Sequence, residues 1–322
     1  HGIIQRFSEY IDLTLDSASL RSETGTFTKD LVKRSNSKIK NDLIANFLPV
    51  SSSELLREKG ELKTIPLKYF PAFPSDIIKQ DLTVELSAID FDTPNQILPI
   101  SSFITDYFAQ NNRNDLIELY GLQPIEIKVI HAEKTLCEKI FRLNKRGAME
   151  GIDGISSKLR DVYDISEIIS HPQYRQYIGS AKFITDLCKV EQAEIKKIDD
   201  WIKSLKERGD DERAQKISER NSWLHQPVSK SLIFSNPNEL MNISHKHKVA
   251  LDTFVFGEPV NMQRMIQSFH ALSEQLKRYD REIHKTMPYK AKVSDKLATI
   301  QKEVRLNKKS TDHQSSIKHK RP

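Results

Sequence analysis

RFSEYIDLTLD, residues 6–16, is the stretch that decides the fold. From Ile11 to Asp16, apolar and polar residues alternate with a period of two, which is the signal of a β-strand. Side chains alternate between the two faces of a strand, so Tyr10 and Asp12 lie on the same face. The stretch therefore predicts a strand with an acidic residue on its polar side.

The elements around this strand predict an α+β protein. After a Ser-, Thr- and Gly-rich loop at 17–28, the alternation predicts further strands at 62–69, 82–91 and 125–130. The proline-rich segment 70–74 is unsuited to a central strand. Apolar spacings of three and four residues predict helices at 27–47, 131–143, 160–169, 181–223 and 259–284. Strands and helices mix up to about residue 130, and helices dominate after it.

The composition fits a soluble, cytoplasmic protein without a membrane partner. The 322 residues suffice for one large or two modest domains, and the mean hydropathy is −0.54. The chain has no visible signal peptide and no apolar run long enough to cross a bilayer. Cys137 and Cys188 lie in apolar helical patterns, so we expect buried small hydrophobes rather than a disulfide, a nucleophile or a metal pair.

The net charge of +6 is concentrated near the C-terminus. Residues 277–322 carry 14 Lys and Arg against 5 Asp and Glu, a net +9, which leaves −3 for the rest. A basic tail suits RNA or another polyanion. Few apolar residues lie beyond about Lys290, and a solvated, poorly ordered end explains this composition equally well.

Acidic residues on the predicted strands are the first candidates for chemistry. Two acids at i and i+2 on a strand can hold Mg²⁺ together with substrate phosphates, but only Asp12 of the Tyr10–Asp12 pair is acidic. Glu85, on another predicted strand, could act as a general base on an acceptor hydroxyl. Solvent-facing strand residues are the alternative for both acids.

Charged residues on two predicted helices are the second set of candidates. Lys134 and Lys139 could meet a phosphate, and Asp161 and Asp164 share one helical face. A solvated charged face is the alternative. His245 and His247 lie in a predicted basic surface loop and form no metal motif. The sequence contains no Gly-rich phosphate loop and no GxSxG elbow.

Three motifs in order resemble the AbiEii/AbiGii family. Residues 1–13 contain RFSEYIDL, where the family usually has RFSEDIDL. The segment 127–146, with Lys139 in CEKI, resembles the family's Glu-Lys helix. RDVYDI at 160–165 resembles its RDLYDL helix. The resemblance covers roughly residues 1–170.

The resemblance implies a minimal, polymerase-beta-like nucleotidyltransferase fold, a mixed sheet flanked by helices, with a helical C-terminal region. The implied activity is Mg²⁺-dependent transfer of a nucleoside monophosphate from an NTP to RNA, especially the 3′ end of tRNA. The implied partner is a cognate antitoxin from the same operon. The implied setting is a toxin–antitoxin or abortive-infection system of phage defence.

The resemblance also assigns roles to residues. Asp12 would be a metal ligand, and Tyr10 stands where the family has its other metal acid. Lys139 would hold the triphosphate, and the further nucleotide-binding residues would be Ser8, Arg160, Asp161 and Asp164. Glu85 is our own placement of a third acid, so the expected catalytic set is Asp12, Glu85, Lys139 and Asp161.

The expected domains are a nucleotidyltransferase-like domain over 1–175, a helical region over 176–289 and a basic tail over 290–322. The family has a Gly-Gly-Ser/Thr turn that would precede His1, so the first domain is expected to be N-terminally incomplete. Tyr10 is a neutral phenol at neutral pH and is unlike a carboxylate as a magnesium ligand. An impaired family member that binds nucleotide, RNA or antitoxin without catalysis is therefore the alternative function.

Overall fold

The computed structural model describes residues 2–16, 29–46, 57–59, 62–68, 81–89, 95–256 and 258–286. The strands in these ranges are β1 Tyr10–Asp16, β2 Arg57–Lys59, β3 Leu62–Lys68, β4 Asp81–Ile89, β5 Asn95–Ile100 and β6 Ile125–Ile130. The loop predicted at 17–28, the segment 70–74 and the tail beyond 290 lie outside the described residues.

The helices in the same ranges follow mainly after β6. They are α1 Lys29–Asn46, α2 Phe103–Gln110, α3 Asn114–Leu119, α4 Ala132–Ser156, α5 Leu159–Ser170, α6 Pro172–Ile178, α7 Ala181–Lys206, α8 Asp211–Arg220, α9 Leu232–Ser235, α10 His245–Phe254 and α11 Met262–Thr286. A mostly helical chain with a small mixed sheet confirms the predicted α+β class.

The larger sheet has the strand order β1-β4-β3-β2. β1 runs parallel to β4, while β3 is antiparallel to both β4 and β2. One face of β3 and β4 is apolar and packs against α1 through Ile39 and Leu43; its buried residues are Ile65, Leu67, Val84 and Leu86. Full burial of such side chains contributes about 1.5–3 kcal/mol each, and the half-buried Ile39 and Leu43 contribute a part of that to the packing of α1 on this face.

The smaller sheet pairs β5 with β6 in antiparallel fashion. Near it, Phe7, Phe103 and Phe256 form a cluster of edge-to-face rings with centroids 4.9–5.4 Å apart. A backbone bridge between Arg6 and Val255 ties the segment before β1 to the end of α10.

The core of the helical part is formed by long amphipathic helices. Leu136, Ile140 and Leu143 of α4 are fully buried, as the predicted stripe requires. α11 packs against α5 and other helices, and its Tyr279 hydroxyl donates a 2.6 Å hydrogen bond to buried Glu191. Asp280 of α11 accepts hydrogen bonds from the backbone N–H groups of Val228 and Ser229, which satisfies two buried donors.

The chain forms two compact units. One comprises His1–Thr135 with Lys248–Val260, and the other comprises Leu136–His247 with Asn261–Pro322. None of the helices in the described ranges has the length and apolar character that crossing a bilayer requires.

Two local expectations were wrong. The helical block over 191–223 is interrupted, because α7 ends at Lys206, Gly209 adopts a φ of +76°, and Asp210 caps α8 by accepting from the Arg213 N–H. The basic loop at His245 and His247 is the first turn of α10 instead. Leu251 and Phe254 further along this helix are buried, and their packing stabilises a segment with a polar start.

Cys137 and Cys188 both lie in the described part of the chain, and neither forms a disulfide there. Cys137 is fully buried and lies 3.5 Å from the Tyr177 hydroxyl, whereas Cys188 is half-buried. Burial raises the pKa of Cys137 to about 12. At pH 8, roughly one such thiol in ten thousand is a thiolate, which makes it a very poor nucleophile.

A thiol-labelling experiment checks this burial. In a Cys188→Ser variant, we expect Ellman's reagent to leave Cys137 unmodified in the native protein and to label one thiol per chain in urea. Rapid labelling of the native variant would contradict the buried position of Cys137.

Candidate active site

The polar face of the larger sheet brings two predicted acids side by side. In the parallel register of β1 and β4, Asp12 lies beside Glu85 and Tyr10 lies beside Thr83. Neighbouring strands are about 4.8 Å apart, and residues in register point to the same face. The next pair on this face shows that such side chains meet, because the hydroxyl oxygens of Thr14 and Ser87 are 3.2 Å apart.

The residues of this face differ in their exposure to solvent. Asp12 is exposed, Tyr10 and Glu85 are half-buried, and Thr83 is buried. The exposed hydroxyl of Ser8 accepts the Tyr10 N–H at 3.2 Å and lies 2.9 Å from the Tyr10 carbonyl oxygen, so it shapes the entry into β1. Its predicted contact with a nucleotide stays a prediction.

The donor set at this face suits a hard divalent cation that keeps part of its water shell. Asp12 and Glu85 offer carboxylate oxygens, which Mg²⁺ prefers, and Mg²⁺ commonly uses only one or two protein carboxylates beside substrate phosphates. The Tyr10 phenol adds no such ligand. Within the described ranges, no cluster of three or more His, Cys, Asp and Glu side chains is placed to hold a metal.

The helical residues predicted to bind nucleotide form a buried ion-pair group. The Lys139 ammonium on α4 lies 2.6 Å from Asp161 and 2.8 Å from Asp164, which are one turn apart on α5. The three side chains are only 11%, 7% and 1% exposed, respectively. An ammonium has three N–H donors, and these two carboxylates take two of them.

Two cations that the sequence analysis missed adjoin this group. Arg142, three residues after Lys139 on the same face of α4, lies 3.3 Å from Asp161 and is half exposed. Burial alone would raise the pKa of Asp161, but attraction to Lys139, Arg142 and Lys158 outweighs it and lowers the pKa. The pKa of Lys158 is lowered, first by burial and also by neighbouring arginines, while Asp161 opposes the shift. The i, i+3 spacing of Lys139 and Arg142 was a usable signal.

The predicted site residues thus fall into two groups, each within one unit. Ser8, Tyr10, Asp12 and Glu85 belong to the unit with the sheet, and their common face is set by the register of β1 and β4. Lys139, Arg160, Asp161 and Asp164 belong to the helical unit, where Arg160 is half-buried on the first turn of α5. The roles assigned to them stay predictions.

A small mixed sheet with one helix-covered apolar face and one acidic polar face is the arrangement of a nucleotidyltransferase-like fold. Comparison with protein families matches residues 1–223 to the family described as nucleotidyl transferase AbiEii toxin, type IV TA system. The chain belongs to this family, as its motifs indicated. No curated protein and no solved structure matches it. The family implies a nucleotidyltransferase toxin with an antitoxin partner.

Proposed function

We propose that this chain transfers a nucleoside monophosphate from an NTP to an RNA acceptor, the 3′ end of tRNA. The in-register pair of Asp12 and Glu85 on the polar face of β1 and β4 is the observation that carries this proposal. Two acids on adjacent strands, 73 residues apart in sequence, share a face whose reverse side is packed by α1.

Each residue of the proposed site has a separate task. Asp12 would hold Mg²⁺, which neutralises phosphate charge when it is bound. Glu85 would accept the proton of the acceptor hydroxyl while the oxygen bonds to the α-phosphorus and pyrophosphate leaves. Lys139, Arg160 and the other predicted nucleotide-binding residues, Ser8, Asp161 and Asp164, would position the NTP.

The proposal extends to organisation and setting. We assign nucleotide transfer to residues 1–175 and recognition of RNA or antitoxin to the helical region 176–289. The basic residues of the 290–322 tail would add contacts to a polyanion. The proposed setting is the cytoplasm, which supplies both NTP and tRNA, and the proposed role is phage defence, which membership of a toxin–antitoxin family supports.

Substitution of Tyr10 tests whether the chain catalyses transfer or only binds its ligands. Replacing Tyr10 by Asp places a second acid at i−2 from Asp12 on the same face. We expect this change to raise transfer at least about tenfold, because a carboxylate ligand supplies what a neutral phenol lacks. The measurement is transfer of label from each α-labelled NTP to unfractionated tRNA in the presence of Mg²⁺.

Two variants control this experiment. Tyr10→Asn removes the ring without adding charge, and Thr14→Asp adds an acid at i+2 instead of i−2. Neither is expected to raise transfer. An equal gain with Thr14→Asp would show that added negative charge alone is responsible and would contradict the assignment of position 10.

The second candidate function is that of a family member that binds without catalysis, which the phenol at Tyr10 favours. In that case the unmodified chain would bind labelled NTP or RNA and transfer nothing, while Tyr10→Asp would gain activity. Transfer by the unmodified chain would exclude it. Absence of transfer and of NTP binding from both chains would overturn both candidate functions.

A further inference from the structure

The outer face of α1 carries a strip of cations that the proposed site does not use. An open groove of about 470 Å³ runs along this face, and its lining residues are Lys33, Arg34, Ser37, Lys38, Asn41 and Asp42. These positions form two adjacent rows at i, i+4 and i+8, so all six side chains share one side of the helix. Lys33, Arg34, Ser37, Lys38 and Asn41 are exposed.

The three cations of this groove are not neutralised within the described part of the chain. Lys33 and Lys38 make no ion pair there, and Arg34 donates only to the carbonyl oxygen of Asp30, at 3.4 Å. The helical unit differs, because Lys182 and Lys216 pair with acids one turn away at 2.8 and 2.5 Å. Asp42 follows Lys38 by one turn without forming an ion pair with it, and it is eight residues, or about 12 Å of helix, beyond Arg34. The groove therefore contains three cations and one acid, a net positive charge.

The chemistry of the groove favours a phosphate backbone over other polyanion partners. Of its six described lining residues, five have cationic, hydroxyl or amide side chains, which are the groups that contact phosphates, the sixth is Asp42, and none is apolar. A protein interface has an apolar or aromatic centre, and a membrane-binding helix inserts apolar residues.

We propose that the α1 groove binds the phosphate backbone of the RNA acceptor, an inference that rests on the proposed function. α1 is fixed on the apolar face of the sheet through Ile39 and Leu43, so the cations are held on a rigid support. Asp12 and Glu85 lie on the opposite face of that sheet. The groove therefore contacts RNA away from the reacting hydroxyl and contributes affinity rather than chemistry.

The test is RNA binding by the full chain as a function of salt. The variant is Lys33→Gln/Arg34→Gln/Lys38→Gln, and the matched control is Lys68→Gln/Lys128→Gln/Arg175→Gln, which removes two exposed lysines and one exposed arginine outside α1 and outside residues 176–289. Fluorescence anisotropy with labelled unfractionated tRNA gives the slope of log Kd against log salt concentration. Removing three phosphate contacts is expected to reduce its magnitude by roughly 2 to 3, with the larger loss of affinity at low salt.

The control should keep both the slope and the affinity of the unmodified chain. Equal slopes for all three proteins, or an equal loss in the control, would overturn the proposal. If polyglutamate binding required the same three cations while tRNA binding did not, the groove would be assigned to an acidic protein instead. Circular dichroism melting confirms that the compared variants are folded.

These measurements test RNA binding by the groove and nucleotide transfer independently of each other. If tRNA binding depended on the groove but no nucleotide were transferred, the proposed catalysis would be overturned. RNA binding by the groove would still stand. The groove variant could also show an unchanged rate of transfer at limiting tRNA and an unchanged salt slope. That result would overturn RNA binding by the groove and would leave the proposed nucleotide transfer standing.

Discussion

Replacing Asp12 by Asn is expected to reduce nucleotide transfer by about 100-fold or more, which corresponds to about 2.7 kcal/mol of transition-state stabilisation. Asn keeps the shape of the side chain and removes the negative charge that a divalent cation requires. Asp12 is exposed, so the change should leave the melting temperature nearly unchanged. The measurement is transfer of labelled nucleotide to tRNA. The rates with and without Asp12→Asn are compared in the natural chain and again in the Tyr10→Asp variant.

The matched control is Asp81→Asn. Asp81 lies on β4, four residues before Glu85 and on the same face of the strand, roughly 13 Å from it along the strand. Its substitution is expected to change the rate of transfer less than about twofold, because the residue beside Asp12 in the strand register is Glu85 and not Asp81. Transfer by Asp12→Asn at the unmodified rate would contradict the site.

Replacing Lys139 by Met is expected to destabilise the protein by about 3–5 kcal/mol, because it removes the buried ammonium that lies between the carboxylates of Asp161 and Asp164. Urea unfolding followed by circular dichroism measures the change. An unchanged midpoint would show that the ion pair has little structural role. Loss of NTP binding under conditions where the variant is still folded would support the proposed phosphate contact independently.

Two further variants show whether the cost comes from unpaired charge. Arg142→Met removes a half-exposed partner of Asp161 and should cost less than about 1 kcal/mol, because solvent screens that pair. Lys139→Met/Asp161→Leu/Asp164→Leu removes the charges together and should recover much of the stability lost in the single variant. If the triple variant were no more stable than Lys139→Met, the loss of stability would be due to lost side-chain packing rather than to unpaired carboxylates.

The pH dependence of the same variants has a defined sign. The pKa of Asp161 is lowered in the folded protein, so its carboxylate stabilises the fold above the unfolded value of about 3.9. That contribution is lost as the pH falls through the lower folded pKa. The difference in unfolding free energy between the natural chain and Lys139→Met should therefore narrow below about pH 4. A difference that stays constant down to pH 2 would contradict the role of the pair.

Local patterns were sufficient for the elements that carry the site. Alternation predicted β1 and the polar position of Asp12, and helical spacing predicted that Asp161 and Asp164 share a face of α5. These predictions succeeded because the period of a strand or helix is fixed by the backbone and is visible within a few residues. The helices α2, α3 and α10 were not predicted, because eight, six and ten residues span too few turns for a period to be recognised, and packing decides their conformation.

The sequence by itself determined the class of fold, the family motifs and which face of each element is polar. The tertiary structure alone decided that Glu85 stands beside Asp12 and that Lys139 lies between two buried aspartates with Arg142 at their edge. It also decided that α1 turns outward three cations that form no ion pair with the described residues. Strand register and helix packing depend on contacts between residues far apart in the chain. No local period contains that information, because it arises when apolar faces such as those of α1, β3 and β4 are buried together.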